Sequence, residues 1–437
     1  MLLRVPWGIS GTLWLQVVGL QFLCLLADTR GGRVTSVPAI IDTDYGTFID
    51  DTFALGFALQ HPGLDVQLII ASGTEPALRA RCVALHLRLA HVREVTLAVG
   101  LSPALGPGLG MNLTGPLFPL CEQELLPADL TLDAAAAAAE LIGASDRDDW
   151  VYVVLGPATT AADFALRFPS AANRVKTIAI MGGSVCANLT LPWEATTPLP
   201  DTNIAMDVPA SRRVLSNRSW GANKPAYAPV VVGAGTVLSG ARWQEVLASN
   251  TPGARAVVRL YIEWQQAAAR DKGYLAHAEA RGVDPSQETP SQFDAAAVAL
   301  AAQQAGVGMQ HLHSWELHLN FTDDGYSVLP DSTSLAKTLL PCSTTTERGS
   351  PHETGWPATV AMAWKSPERA NFLDDLATVL AGEESTHGDV TWSLIGLFFI
   401  FLAATAVMYM HIGRALDDGI GMQHRPMPKR FSHSEIH

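Results

Sequence analysis

Apolar residues along this chain fall mostly in short unbroken runs separated by stretches of helical period, not in the strict alternation of a sheet with one wet face. Residues 37–42 form a compact apolar run, 50–60 repeat with a helical period, and 65–71 form a second run of buried-strand character. The alternation continues with a helix over 77–90, a strand at 95–99, an Ala-rich helix over 132–142, and strands at 150–155, 176–181 and 230–232. Residues 254–269 and 294–305 read as helices, and 316–321 and 326–329 as strands around an Asp-Asp-Gly turn, an antiparallel extension. A Ser/Thr/Pro/Gly-rich loop over 342–356 precedes a closing strand (358–364) and helix (367–380). Strands apolar on both faces need cover on both, so the pattern predicts an α/β fold with a mostly parallel sheet between two helical layers.

Two apolar runs lie outside this alternation. Arg4 is the only charged residue before Asp28, and the run over 8–27 ends at a small residue, the pattern of a secretory signal peptide; an uncleaved anchor is the alternative. Residues 390–412 contain no Asp, Glu, Lys or Arg and exceed the ~20 residues that cross a bilayer core. Arg414, Arg425, Lys429 and Arg430 follow, which favours a cytoplasmic tail, although Asp417 and Asp418 dilute that bias. The expected organisation is a signal peptide (1–27), one large ectodomain (28–389), a transmembrane helix (390–412) and a cytoplasmic tail (413–437). That is a single-pass type I membrane protein, with its ectodomain extracellular or luminal.

The chain has 437 residues and a formal charge of −13, from 42 acidic against 29 basic side chains, so no basic field exists to neutralise phosphates and nucleic acid is excluded as a partner. Of five cysteines, Cys82, Cys121, Cys186 and Cys342 lie beyond the leader; one or two bridges fit an oxidising compartment, and the sequence leaves all three full pairings open. Glycosylation triplets begin at Asn112, Asn188, Asn217 and Asn320, all between the leader and the span. His311, His313 and His318 gather loosely around Trp315 without the spacing of a metal-ligand set, and core packing is the default role for each of the 11 Trp.

Candidate chemistry concentrates at the end of the first strand, where Asp42, Asp44, Asp50 and Asp51 follow one another through a Gly46 turn into a helix. Asp42 and Asp44 share a strand face, and ligands of open α/β sheets sit beyond the carboxyl ends of strands. Two carboxylates about 4 Å apart repel by roughly 4 kcal/mol at an effective dielectric near 20, so a converging set needs a cation or raised pKa values. With only oxygen donors nearby, a hard ion is favoured. The simpler reading makes Asp50 a helix cap and Asp51 a favourable charge at the helix N-terminus.

This stretch resembles the inosine-uridine-preferring nucleoside hydrolases, in the branch with a longer Gly-to-Asp-Asp loop. Later segments are similar in order: Val153 to Thr160, Ile180-Met181-Gly182-Gly183, Pro200-Asp201-Thr202-Asn203, Asp207-Val208-Pro209-Ala210, and Gln292-Phe293-Asp294 opening a helix. The resemblance spans about residues 37–380 and implies an α/β, Rossmann-like, mostly parallel sheet and a Ca²⁺-dependent hydrolysis of ribonucleosides to base and ribose. It implies Ca²⁺ on Asp44, Asp51, Asp294 and the backbone carbonyl of Leu155, with Asp44 also the general base. Asp50 and Asn203 would hold ribose hydroxyls, Asp201 would reach O5′, and Asp42 would brace the loop. It names a nucleoside as substrate and leaves room for a homo-oligomer.

The chain departs from the family's pattern in several places, among them Leu155 where Thr is usual and Asp201 where Glu is usual. Phe48 replaces an acid common in that branch, and Phe293 stands where some members place a proton-donating His. Asn188 falls near a sugar-contacting position yet inside a glycosylation triplet, and Thr74-Glu75 match a sugar loop only loosely. Two other readings therefore remain at this level: a non-catalytic surface protein binding a ribosyl ligand or partner on the same scaffold, and a haloacid-dehalogenase-type phosphatase, which Gly46 fits poorly.

Overall fold

A computed structural model of the protein describes residues 36–104, 114–184, 201–221, 224–274, 276–323, 327–328, 356–364 and 368–382. The chain divides into two units, Met1–Glu383 and Glu384–His437, and all described residues lie in the first. Its strands are β1 (Val37–Thr43), β2 (Leu64–Ala71), β3 (Thr96–Val99), β4 (Trp150–Val154), β5 (Val175–Met181), β6 (Ala226–Ala228), β7 (Leu312–Phe321), β8 (Ser327–Val328) and β9 (Trp356–Trp364). They form one sheet in the order β3-β2-β1-β4-β5-β6-β9-β7-β8. Every pairing from β3 to β9 is parallel; β7 pairs antiparallel with β9, and β8 with β7, as the expected antiparallel extension.

The longer helices are α1 (Asp50–Gln60), α2 (Pro76–Leu89), α3 (Ala134–Ala144), α4 (Thr159–Arg167), α5 (Val208–Ser216), α6 (Gly240–Ala248), α7 (Pro252–Arg270), α8 (Phe293–Ala305) and α9 (Glu368–Ala381). Alternate strand residues feed two cores. Ile41, Val151 and Val153 pack on one face with Phe53 of α1, Val83 of α2, Val257 of α7 and Leu376 of α9. Ile40, Tyr152 and Val154 pack on the other with Ala138 of α3, Phe164 of α4 and Val214 of α5. Every residue of β1 is buried, as its unbroken apolar run requires. Helix α8 is almost wholly buried; its Ala-rich surface lets it lie close against the sheet.

The strand expected at 230–232 is instead a one-turn helix, Val230–Gly233, and the strand lies just upstream in β6. Pro229 ends that strand because it has no N–H for the ladder, and Val232 N–H then bonds back to the Pro229 carbonyl at 2.9 Å. His311 is buried against Asp375 of α9 at 2.8 Å, while His313 and His318 are exposed along β7, so the three histidines share no site. Asn320 is buried within β7 and its side-chain oxygen accepts from Phe321 N–H, so a glycan there is incompatible with this fold. Asn217 is half-buried, its side-chain oxygen accepting Ser219 N–H at 2.9 Å; Asn112, Asn188, Cys186 and Cys342 lie outside the described residues. The signal and membrane segments at 1–27 and 390–412 also lie outside them, and no helix among the described residues is long and apolar enough to cross a membrane.

One cysteine pairing left open by the sequence is present: Cys82 of α2 is bonded to Cys121 at the end of the one-turn helix Phe118–Cys121, with Cα atoms 4.9 Å apart. This bridge backs the loop after β1. A Cβ at Gly46, whose φ is +107°, would lie 3.1 Å from the Phe118 ring. Cys121→Ser is expected to lower unfolding stability by about 2–5 kcal/mol, read from urea titration under non-reducing conditions; an unchanged midpoint would show the bridge to be dispensable.

Candidate functional site

The sheet order reverses between β1 and β4, because the chain builds outward from β1 to β2 and β3 and then returns to place β4 on its other side. Beyond the carboxyl ends of these two strands lies the crevice that such a switch point opens. Asp44 follows β1, Leu155 and Gly156 follow β4, and Asp201 and Asn203 enter beyond β5. Asp50 and Asp51 occupy the first turn of α1, and Asp294 the first turn of α8. Two helix N-termini therefore point at the same acids, and their partial positive charge offsets part of the repulsion.

Asp50, Asp51 and Asp294 are all buried, and one carboxylate oxygen from each lies within 4.8 Å of the others. Asp50 is not the cap of its own helix; Ile49 holds that position with no side-chain bond. Its carboxylate instead accepts the Asp294 backbone N–H at 3.4 Å, joining α1 to α8, and Asp51 accepts the Thr43 hydroxyl. Burial pushes the Asp50 carboxyl up to about 7, with the charge of Asp44 adding to the rise. Burial and the neighbouring acids hold Asp51 and Asp294 well above the usual carboxylate range.

Asp44 stands beside this triad and is the only one of the five acids at 42, 44, 50, 51 and 294 that keeps partial solvent exposure. Burial raises its pKa too, against the lowering field of Arg79. Two glycines clamp its side chain: a Cβ at Gly73 would lie 2.8 Å from Asp44 Cβ, and one at Gly156 would lie 2.9 Å from its Oδ1. Gly156→Ala, whose new Cβ would lie 2.8 Å from Asp44 Cβ, is expected to displace the whole Asp44 side chain, lowering turnover at least tenfold and stability with it, since misplacing a reacting group by about 1 Å costs up to about 10²-fold; paired rate and melting measurements check this.

Asp42 lies below the crevice within β1, fully buried, with one oxygen accepting the Tyr152 hydroxyl at 3.2 Å and the other without a partner. Burial pushes it up to about 7. Leu155 is tied to it through Leu155 N–H to the Asp42 carbonyl at 2.7 Å. The Leu155 carbonyl oxygen accepts the Asn203 amide at 2.6 Å and, having two lone pairs, keeps one for a further partner. Asp201 caps the short helix Thr202–Met206 by accepting Ile204 N–H at 2.9 Å; burial pushes its carboxyl up to about 6.

Sequence reasoning missed Arg79. Its buried guanidinium donates to the carbonyls of Asp44, Tyr45 and Thr74 and to the hydroxyls of Thr47 and Thr74, fixing the loop that carries Asp44. Both oxygens of Thr74 are thereby used, and Glu75 is exposed with φ +54°. An Arg inside an apolar helix face was the available signal. Phe48 and Phe293 are partly buried against the core.

Fold and site together define an α/β scaffold with a mostly parallel sheet and a buried cluster of carboxylate oxygens at its switch point. Residues 39–377 match the model of the inosine-uridine preferring nucleoside hydrolase family, and the chain belongs to that family of N-ribosyl hydrolases. Comparison with curated protein sequences finds no match. Among solved structures, it is similar to a plant nucleoside hydrolase, PpNRh1 (16% identity, TM-score 0.55, 79% of this chain and 99% of that one). It is also similar to a purine-preferring ribonucleoside hydrolase from Gardnerella vaginalis (18%, 0.53, 79% and 99%) and to an inosine-guanosine nucleoside hydrolase (15%, 0.53, 80% and 99%). The acids at 50, 51 and 294 and the family match leave the phosphatase reading without support.

Proposed function

We propose that the protein is a Ca²⁺-dependent ribonucleoside hydrolase, held at a membrane by its C-terminal helix, that releases free base and ribose on the extracellular or luminal side. The observation that carries the reading is the convergence of buried acids from two distant segments, Asp50 and Asp51 of α1 and Asp294 of α8, at the switch point of the sheet, with Asp44 beside them. The donor set is oxygen only, its acids are raised by burial and by one another, and the nearby guanidinium of Arg79 is spent on backbone carbonyls and hydroxyls. Such a set fits a hard divalent ion held by Asp44, Asp51, Asp294 and the Leu155 carbonyl. A bound ion of this kind lowers the pKa of water and screens the acids from one another.

Asp44 accepts the proton of the attacking water. Asp50 and Asn203 hold the ribose hydroxyls, Asp201 the 5′ end of the sugar, and the carboxylate-rich crevice stabilises an oxocarbenium-like ribosyl group as the bond to the base breaks. The Cys82–Cys121 disulfide supports an oxidising compartment, in keeping with a leader at 1–27, an ectodomain at 28–389, a membrane helix at 390–412 and a cytoplasmic tail at 413–437.

The test incubates the purified full-length protein with inosine, uridine and adenosine, in millimolar calcium or with chelator, and follows free base by chromatography. Base release abolished by chelation is the expected result. No release from any nucleoside in calcium overturns the reading in favour of a non-catalytic ribosyl-binding protein.

A further inference from the structure

Arg79, Cys82 and His86 are spaced along α2 so that they share one buried face of the helix. All three meet the loop that carries Asp44. Arg79 donates to the carbonyls of Asp44 and Tyr45 and to the Thr47 hydroxyl, and Cys82 Sγ lies 3.5 Å from the place a Cβ on Gly46 would take. His86 Nδ1 is 2.9 Å from the Tyr45 hydroxyl, and the two rings meet edge to face with centroids 5.8 Å apart. The Tyr45 hydroxyl in turn accepts from the Thr52 hydroxyl of α1 at 2.8 Å, and Tyr45, Thr52 and His86 are all fully buried.

The protons in this chain of bonds have one arrangement. A phenol has a single proton, and because Tyr45 accepts from Thr52, its own proton goes to His86 Nδ1. Burial lowers His86 to about 4, so the ring is neutral near pH 7 and Nδ1 keeps a lone pair to accept with. The ring proton then sits on Nε2, which has no partner. A buried polar group left this way costs about 1–3 kcal/mol, so a histidine is a poor choice for packing alone at this position. What the imidazole contributes is the bond to Tyr45.

That bond acts next to the acids of the crevice. Tyr45 directly follows Asp44, and Thr52 directly follows Asp51. The two carboxylates reach the site on different elements, the end of β1 and the first turn of α1, and the charge of Asp44 acts against that of Asp51. The buried chain Thr52–Tyr45–His86 ties the two elements to each other and to α2, and so opposes their separation. We propose that His86 is a positioning residue for the metal site, holding Asp44 and Asp51 through Tyr45 and Thr52 at the separation one divalent ion requires. The assignment rests on the calcium-dependent hydrolase reading above. His86 touches neither the ion nor the nucleoside; groups that orient metal ligands in this way are commonly worth 10–100-fold in metal affinity.

The experiment titrates calcium chloride calorimetrically into full-length wild type, His86→Leu, Tyr45→Phe, the double variant and His86→Asn. His86→Leu and Tyr45→Phe are each expected to raise the calcium Kd by about 10–100-fold. The double variant is expected to bind no more weakly than the weaker single one, because both changes break the same bond. His86→Asn, whose side-chain oxygen stands in for Nδ1, is expected to recover most of the affinity. Loss of packing alone lowers the melting temperature equally with calcium and with chelator and leaves Kd at the wild-type value; that result overturns the assignment, as does a double variant in which the two losses multiply. If His86→Leu melts below the titration temperature, Tyr45→Phe decides, since it keeps the ring and removes only the hydroxyl, and an unchanged Kd there overturns the assignment. Either failure leaves the hydrolase reading intact as long as wild type binds calcium and releases base. A wild type that binds no calcium overturns both.

Discussion

Asp44→Asn is expected to lower base release from nucleosides by about 10²–10⁴-fold, the usual span for loss of a positioned general base. Asp44 alone among the five clustered acids is partly open to solvent, where a water can reach it. Its side chain is clamped by Gly73 and Gly156, and its backbone carbonyl is gripped by Arg79, so the carboxylate is held in one place before substrate arrives. The same substitution should not weaken the fold. The Asp44 charge raises the carboxyls of Asp42, Asp50, Asp51, Asp201 and Asp294, and removing it relieves that repulsion at nearly constant shape. Chelated Asn variant should therefore melt no lower than chelated wild type. Retained turnover would remove Asp44 from its role as base; lost turnover together with a lower melting temperature would make it a structural residue.

The parts of this site that could be read from the sequence are those encoded locally. Unbroken apolar runs gave β1, β2, β4 and β5 because a strand covered on both faces has no polar position to alternate with. Asp42, Asp44, Asp50 and Asp51 were visible because one strand end and one helix start lie close together in the chain. What stayed hidden depends on approach between distant segments. Gly73 and Gly156 matter only because both backbones close on the same Asp44 side chain, and the Cys82–Cys121 pair only because the turn at 115–121 folds over Gly46. The valines at 230–232 misled because β-branched residues favour strands, whereas Pro229 had already taken the chain out of the ladder.

Calcium is expected to raise the melting temperature by an amount that grows as pH rises from about 4 to about 7. In the unfolded chain the carboxyls of Asp42, Asp50 and Asp201 ionise near 3.8; in the fold burial holds their protons until about 7, 7 and 6. Between those limits the native state binds more protons than the unfolded one, so stability falls as pH rises and is fully present only below about 3.8. Two histidines, half-buried His61 and fully buried His86, act oppositely. His61 and His86 are lowered by burial from 6.5 to about 4, so their neutral native forms gain stability over the same interval. Neither belongs to the acid cluster, so their effect cancels in the difference between calcium-loaded and chelated protein. A cation binds the ionised cluster and not the protonated one, and saturation at 100 times Kd adds about 2.7 kcal/mol. Scanning calorimetry from pH 4.5 to 7.5, with calcium and with chelator, measures that difference directly. Asp51→Asn and Asp294→Asn should abolish it, while Asp163→Asn on α4, an acid with one oxygen paired to Arg167, should leave it intact. A calcium effect that is flat with pH, or equal in all three variants, would mean that the ion stabilises some other part of the molecule.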